Sequence, residues 1–277
     1  MSFVTCAPDP RLSATVLCYW RLDGLEAGRF YAAAAKRHVE LVVNLGAPHR
    51  AGPAEAPAAA EYGSCWITGL RDRPLYLEPT GACVIYGARF QDFAVPDWLG
   101  AEVAGNHYWS TDLGRAPAVG SLVRALADCD ELGDAAGVLD AYFLGRTPAP
   151  AETESLRSAI GLCEAQGQLT PDAIRALLGG SPRRARALAK RNAGISLRRF
   201  ARLARFDLAL VHLDSGRDER LADVAHDAGY YDEAHMAHDF AAFCGLAPAA
   251  YRRARRDAGR DALPHHLIAS GGGVRVP

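Results

Sequence analysis

The residues with the clearest potential for chemistry form a basic segment in the second half of the chain. Between Ser181 and Arg205 there are nine Lys or Arg residues and no acidic residue. Such a block is either a solvated helix face or a surface that binds a polyanion. Arginine suits the second role, because its guanidinium fork can pair with guanine O6 and N7 in the major groove or hold a phosphate. A polyanion partner is therefore the sharper of the two interpretations.

A second cluster, residues 227–253, could bind either a metal ion or DNA. His235 and His238 would share one face of a helix, and His226, Asp239 and Cys244 are near them in sequence. A zinc site needs three or four ligands that converge on one point. The predicted helix that carries His226 turns it away from His238, and Cys244 lies just beyond the apolar stripe. We therefore expect no metal here and interpret His235 as a partly buried packing residue.

Composition limits the class of protein further. With 277 residues, of which 49% are hydrophobic and 23% charged, the chain is typical of a folded protein with room for two domains. Its seven cysteines include no Cys-x-x-Cys pair, which argues against a disulfide scaffold and a zinc knuckle. No apolar run reaches the roughly 18 residues of a membrane helix, and the N-terminus lacks a signal core. We expect a cytoplasmic protein with no membrane partner.

Signatures of catalysis are absent from the sequence. It contains no nucleophile elbow, no phosphate loop, no dinucleotide-binding glycine pattern and no His-Glu-x-x-His. The first half has only His38, His49 and His107, at spacings that do not form a metal-ligand set. We therefore expect neither enzymatic activity nor a cofactor.

The elements that carry the basic segment and the histidines are helices with clear start and stop signals. Thr170 and Pro171 begin one helix and Gly179 ends it, and Ser181 begins the next. A long helix follows from Ser196, and then residues 220–229 and 232–244 repeat the arrangement around a second glycine turn. Two helices joined by a tight turn form a helix-turn-helix. The sequence therefore predicts two such units joined by a long helix.

The first half has a different pattern. From residue 12 to about residue 93, short apolar runs alternate with Gly, Pro and charged residues, which indicates the strands of a sandwich or barrel. Residues 46–63, rich in Pro, Ala and Gly, predict a long surface loop. The fold class is α+β. We predict a β domain at residues 1–115, a helical linker and candidate dimer contact at 116–150, a double helix-turn-helix domain at 151–256 and a flexible tail at 257–277.

This arrangement resembles the AraC/XylS family of bacterial transcription regulators. The stretch "ADVAHDAGYYDEAHMAHDFAAFCGLAPAAYRR" is similar to the family signature over its whole length. The first half more loosely resembles the cupin-like β domain of some members, through "RHVELVVNLG", "SCWITGL" and "GACVIYGARF". The resemblance implies a helix-turn-helix DNA-binding transcription regulator, with double-stranded DNA as partner and a sensor or dimerisation domain in front. A small-molecule effector, a homodimer and a contact with RNA polymerase stay open as further partners.

The resemblance also assigns DNA-contacting positions in both units. These are Ser181, Arg183, Arg184, Arg186 and Lys190 in the first unit, and Tyr231, Glu233, Ala234, Ala237 and His238 in the second. The second surface is acidic, because Asp232, Glu233 and Asp239 would lie beside phosphates and repel them. We expect the first unit to supply most of the affinity for DNA.

Polar residues embedded in the apolar strands of the first half predict a pocket. They are Trp20, Arg21, Glu40, Asn44, Arg71 and Arg89. Buried charge is costly unless it is paired or contacts a ligand. Two interpretations stay open: Arg89 or Arg21 forms a salt bridge with Glu40 inside the barrel, or these groups bind a small anionic molecule. The alternative function is a cupin-type ligand- or metal-binding enzyme with a degenerate helical domain.

Overall fold

The structure of the protein is a computed structural model. It describes residues 1–96, 98–99, 110–113, 117–146, 151–165, 170–177, 183, 187, 195–258 and 267–269. A β domain comes first, two helices follow, and a helical domain occupies the C-terminal part. The predicted α+β class and this order of domains are confirmed.

The β domain consists of two antiparallel sheets. Sheet 1 has the strand order β1-β2-β9-β4-β7-β10, and sheet 2 has the order β11-β3-β8-β5-β6. The strands are β1 Ser2–Cys6, β2 Val16–Asp23, β3 Tyr31–Ala33, β4 Glu40–Gly46, β5 His49–Gly52, β6 Ala60–Tyr62, β7 Cys65–Thr68, β8 Leu75–Pro79, β9 Cys83–Phe90, β10 Ser110–Asp112 and β11 Leu267–Ala269.

The prediction of one long loop at residues 46–63 is wrong in part. The segment contains β5 and β6, which pair with each other, and β5 also pairs with β8. A Cβ atom on Gly52 would lie 1.7 Å from the carbonyl oxygen of Ala56. The glycine that seemed to break a strand therefore lets the connection fold closely over the end of β5.

The central strands β4 and β9 of sheet 1 are buried on both faces, and their side chains alternate between two apolar clusters. In β4, Val42 belongs to the apolar cluster between the sheets, whereas Leu41 and Val43 belong to the cluster under the helices. In β9, Ile85 and Tyr86 divide in the same way. One face of the sheet thus encloses the interior of the β domain, and the other supports the helical part.

Two helices pack on the outer face of sheet 1. They are α1 Pro117–Ala127 and α2 Leu132–Leu144, and they contact β4 and the β1-β2 pair, respectively. Phe143 of α2 is fully buried and packs against Tyr19 and Phe90. The segment predicted as a linker therefore contributes to the core of the β domain, and a dimer contact through it stays a prediction.

The C-terminal domain is helical and includes the two predicted helix-turn-helix regions. Its helices are α3 Ala151–Ala165, α4 Pro171–Leu177, α5 Leu197–Asp214, α6 Leu221–Asp227, α7 Glu233–Cys244 and α8 Pro248–Ala258. The second helix of the first unit falls mostly outside the described residues, although positions 183 and 187 are helical. The long helix α5 contributes Phe200, Leu203, Phe206 and Leu210 to the core, as its spacing predicts.

The prediction of a flexible tail at 257–277 is wrong at two places. Residues 257 and 258 belong to α8, and Leu267–Ala269 form β11, which pairs antiparallel with β3. The physical reason is that β3 would be the edge of sheet 2 without β11, and its free backbone groups would be open to another strand. The other tail residues lie outside the described part of the chain.

Candidate functional site

The second helix-turn-helix has the geometry that its sequence predicts. Gly229 adopts a left-handed φ of 79°, and the N–H of Tyr230 donates to the carbonyl of Ala225 at 2.8 Å, which closes α6. Asp232 then caps α7, because its carboxylate accepts from the backbone N–H of His235 at 2.7 Å. Met236 and Phe240 are fully buried beneath α7. The turn and the helix that follows it are therefore held rigidly.

The predicted DNA-contacting residues of this unit lie at the surface. Tyr231 is 92% exposed. Glu233, Ala234 and His238 are exposed, and Ala237 is half-buried. His235, predicted to be partly buried, is exposed, although its ring packs edge-on against Tyr230 at 5.2 Å. Contact of these side chains with DNA stays a prediction.

The acidic character of this surface is weaker than the sequence predicts. Asp239 is 1% exposed, and its Oδ1 accepts from Arg202 Nη2 at 2.6 Å. Asp232 is engaged as the helix cap. Of the three acids predicted to repel phosphates, Asp239 points into the domain, so the expectation is wrong for it.

The basic segment is also divided between interior and surface. Arg183 and Arg198 are exposed. Arg199 forms an ion pair with Asp72 of the β domain, and Arg202 pairs with Asp239. Arg205 is buried with its guanidinium over the ring of Tyr230. Ser181, Arg184, Arg186 and Lys190 lie outside the described residues, so Arg183 is the one predicted contact of the first unit that the described chain places at the surface.

The β domain encloses a cavity of about 100 Å³ between its two sheets. Its wall is mainly apolar and aromatic, with Trp20, Tyr62, Trp66, Leu75, Ile85 and Leu267 among the lining residues. Gly87 makes room for one aromatic wall, since a Cβ atom there would lie 2.0 Å from Cε2 of Trp20. The cavity is therefore shaped by a close approach between backbone and indole.

Charged groups meet at one part of the cavity wall. Lys36, Arg71 and Glu40 line it, and Glu40 is the only carboxylate among the described lining residues. Glu40 forms ion pairs with Lys36 and with Arg89, whose Nε lies 2.7 Å from Oε1. Burial lowers the pKa of Lys36 to about 8 and that of Arg71 to about 10, despite the attraction of Glu40. With these groups charged, positive charge exceeds negative charge here.

Several buried polar atoms of the lining residues have no hydrogen-bond partner within the described chain. They are the indole N–H of Trp20, Nε of Arg71, Nδ1 of His49 and the hydroxyl of Thr68. Unpaired buried donors and acceptors are costly, and native proteins keep few of them. Burial also lowers the pKa of His49 to about 4, so its ring is neutral at pH 7. The cavity thus combines an apolar body with polar groups that lack partners.

The predicted pocket residues separate into three groups. Trp20, Glu40 and Arg71 line the cavity, and Arg89 supports Glu40 from behind. Arg21 is a wrong prediction, because alternation along β2 places it on the opposite face from Trp20, where it pairs with Asp23.

Asn44 is the other wrong prediction, since its amide donates to the carbonyls of Ala47 and Gly63 and fixes a turn. Sequence reasoning missed Lys36, His49 and Trp66. The basic run at 36–38 directly before an apolar strand was the available signal.

The cavity wall continues into the contact between the two domains. Arg37 and His38 follow Lys36 but face the helical domain, where Arg37 pairs with Glu164 and with Asp207 at 3.4 Å. His38 Nδ1 lies 3.3 Å from Asp92. Burial opposes charge on Arg37, but the surrounding carboxylates outweigh it and raise its pKa. Adjacent residues therefore serve the cavity and the domain contact.

The linking helix α5 and the second helix-turn-helix unit take part in this contact. Phe200 of α5 packs on Phe93 with ring centroids 4.6 Å apart, and Phe93 adopts a left-handed φ of 62° that is unfavourable for a non-glycine residue. In the second unit, the carbonyl of Phe243 in α7 accepts from the N–H of Ala35 at 2.7 Å. The orientation of α5 and of the second unit is thus set against the β domain.

Comparison with protein families identifies the class of the C-terminal domain. Residues 175–254 match the family described as "Helix-turn-helix domain". This range begins within α4 and extends through the long helix and the whole second unit. This part of the chain is therefore a helix-turn-helix domain of the AraC type.

Comparison with solved structures returned distant neighbours. ToxT from Vibrio cholerae is 11% identical, with 91% of this chain and 98% of that chain covered and a TM-score of 0.48. Unsaturated fatty acid bound wild-type ToxT from Vibrio cholerae strain SCE256 is 10% identical, with 91% and 95% covered and a TM-score of 0.47. The AraC-like transcriptional activator CuxR is 15% identical, with 68% and 80% covered and a TM-score of 0.31. No curated protein matches the chain significantly.

Within the described part of the chain, no group of three or more His, Cys, Asp or Glu side chains is placed to hold a metal ion. None of the helices within the described ranges is long and apolar enough to span a membrane.

Proposed function

We propose that the protein is a sequence-specific transcription regulator whose β domain binds a small molecule with an apolar body and an anionic group. The observation that carries the proposal is the charged end of an otherwise apolar cavity, next to the residues that hold the helix-turn-helix domain. The domain boundaries at residues 115 and 150 are part of this proposal.

The DNA-binding half of the proposal is supported by the exposed face of the second unit. Tyr231, Glu233, Ala234 and His238 point away from the contact with the β domain, which involves the opposite end of α7 at Phe243. A recognition helix must present such a face to the major groove. Docking of the two domains therefore leaves this face open to DNA.

The ligand-binding half is supported by charge and by unpaired polar atoms. A ligand carboxylate or similar anion could accept from Lys36 and from Arg71, and it would compensate the excess positive charge beside Glu40. An aromatic or aliphatic body would contact Trp20 and Trp66. A neutral ligand would leave the positive charge uncompensated, so an anionic ligand is favoured.

The DNA-binding function is tested by selection from random duplex DNA at controlled salt. We expect a reproducible consensus and an affinity that falls steeply as salt rises, because phosphate contacts release counterions. R183A should weaken binding to all sequences alike, whereas H238A should alter the preferred sequence. If the selection gives no consensus and the affinity does not depend on salt, the proposal is contradicted.

The ligand-binding function is tested by titrating the protein with small aromatic and aliphatic carboxylates while tryptophan fluorescence is recorded. We expect saturable changes that K36M and R71M weaken and that the corresponding alcohols do not produce. R50M is the matched control, because Arg50 is exposed on β5 and does not line the cavity. Equal responses to acids and alcohols would contradict an anionic ligand.

A further inference from the structure

The C-terminal strand β11 belongs to the β domain, although it follows the DNA-binding domain in sequence. It is the edge strand of sheet 2, and Leu267, Ile268 and Ala269 pair with Ala33, Ala32 and Tyr31 of β3. Leu267 is 4% exposed and forms part of the cavity wall. The cavity is therefore closed on this side by a segment that comes from beyond the last DNA-binding helix.

A buried arginine joins β11 to the helical domain. Arg255 of α8 is 1% exposed, and its Nη1 donates to the carbonyl of Leu267 at 3.3 Å. Its Nε and Nη2 donate to the two carboxylate oxygens of Asp214, at the end of α5, at 2.8 and 2.9 Å. One guanidinium thus holds α5, α8 and β11 together. Because the guanidinium is planar and bonds in two directions, it fixes the position of β11 relative to both helices.

Helix α8 in turn packs on the second helix-turn-helix unit. Tyr251 of α8 is fully buried, and its ring lies 5.8 Å from that of Phe240 in α7. A second attachment of this unit to the β domain, Phe243 to Ala35, lies two residues beyond the end of β3. These two attachments therefore depend on the position of residues 31–35.

The cavity is too small to hold a ligand with a large apolar body unless its wall moves. An engineered protein cavity of about 150 Å³ holds a benzene molecule, whereas this cavity measures about 100 Å³. A ligand with a larger apolar body can enter only if part of the wall moves. Sheet 2 has two edge strands of three residues, β6 and β11, and short edge strands are the parts of the wall that separate most readily. Of these two, β11 is the one that Arg255 joins to the helical domain.

We propose that β11 is a strap, meaning a short strand that links cavity occupancy to the second helix-turn-helix unit. A ligand whose body exceeds the cavity displaces Leu267, separates β11 from β3 and loosens the second unit from the β domain. The loosened unit is no longer held in register with the first, so affinity for a site that engages both units falls. This inference rests on the proposed ligand-binding role of the cavity.

The test measures how three proteins, each with both domains, bind 1-anilinonaphthalene-8-sulfonate. This probe is a bicyclic apolar anion larger than the cavity. The three proteins are the complete chain, a variant that ends at His266 and so lacks β11, and a control that ends at Ala269 and so keeps it. Probe binding is followed by energy transfer from tryptophan, and W66F shows whether the probe lies in the cavity. DNA affinity is measured on the selected duplex with and without saturating probe.

We expect the variant ending at His266 to bind the probe about tenfold more tightly than the other two proteins, because no wall has to be displaced. Its DNA affinity should be about tenfold weaker and insensitive to the probe. In the complete chain and in the control, saturating probe should lower DNA affinity to the same level, as reciprocal coupling requires. Hydrogen exchange at residues 31–33 and 267–269 should increase in these two proteins when the probe binds.

A second variant covers the case in which the chain ending at His266 does not fold. L267A keeps the strand but enlarges the cavity, so the probe should bind several-fold more tightly without weakening DNA binding. Equal probe affinity in L267A and the complete chain, with no change in exchange at β11, overturns the strap.

The outcomes also separate the strap from the proposed function. Absence of probe binding in all proteins overturns the ligand site together with the strap. Equal probe binding in all of them overturns the strap alone. A failure to select any DNA consensus contradicts the regulator, while hydrogen exchange still decides whether the probe releases β11.

Discussion

Replacing Arg37 by methionine should separate electrostatic docking of the two domains from their apolar contacts. Arg37 has 11% of its side chain exposed and faces three carboxylates, those of Asp92, Glu164 and Asp207. Methionine keeps much of the length and apolar volume but removes the charge. The variant then holds three acidic groups near one another, and of the nearby basic groups His38 remains.

The geometry sets the size of the effect. At 3.4 Å, the Arg37 to Asp207 distance corresponds to roughly 5 kcal/mol of attraction at an effective dielectric constant of about 20. Desolvation offsets part of this attraction, and loss of one partner from a buried pair typically costs about 3–5 kcal/mol. We therefore expect R37M to lose about 3–5 kcal/mol in the free energy of unfolding at pH 7.

The loss of stability in R37M should depend on pH, because its cause is electrostatic. In the native protein Arg37 and His38 outweigh burial and lower the pKa of Asp92, so its stabilising contribution is present above about pH 4 and is lost as pH falls through the folded pKa. In R37M the three carboxylates lack the neighbouring guanidinium, so protonation relieves the repulsion between them. The difference between the two proteins should therefore shrink as the solution is acidified.

Urea unfolding followed by far-UV circular dichroism, at pH 7 and in acid, measures this difference. R11M is the matched control, because Arg11 pairs with Asp9 at the surface and its loss should leave stability unchanged. Equal stability of R37M and the native protein at pH 7, or a loss that is independent of pH, would refute the electrostatic explanation of docking.

Three further predictions concern single sites. D239A should cost about 2–3 kcal/mol, since it leaves Arg202 without its buried acceptor, while E233Q on the exposed face of the same helix should cost nothing measurable in thermal unfolding. In the native protein the free energy of unfolding should fall by about 3 kcal/mol as pH drops from about 6.5 to 4, because the folded pKa of His49 is lowered to about 4. H49Q should abolish this fall, and an unchanged pH profile would contradict the burial of a neutral ring. G87A should cost about 1–3 kcal/mol and shift tryptophan emission by displacing Trp20, whereas G133A, with open space around the new methyl group, should not destabilise the protein.

The local features of the helical domain could be predicted from the sequence because neighbouring residues determine them. Gly229 supplies the left-handed turn, Asp232 caps the helix after it, and Met236 and Phe240 lie one turn apart on its buried face. Each of these depends on residues within one or two helical turns. The second unit was therefore predicted in detail.

Features that depend on distant partners could not be predicted in this way. Asp239 reads as a surface acid until Arg202, 37 residues earlier, is placed beside it. Lys36 reads as a solvated charge before a strand, but it is buried against Glu40. Leu267 lies in a glycine-rich tail and finds its partner, Ala33, at the far end of the chain. In each case the decisive contact is absent from the local pattern.

The two-sided burial of β4 bears on how such a protein can change over generations. Glu40 and Val42 face the cavity, whereas Leu41 and Val43 face the helices. On the proposed function, substitutions at alternate positions of a single strand would change the preferred small molecule while the packing that supports the helices is inherited intact. A lineage would then change its ligand through a few residues and keep its preferred DNA sequence.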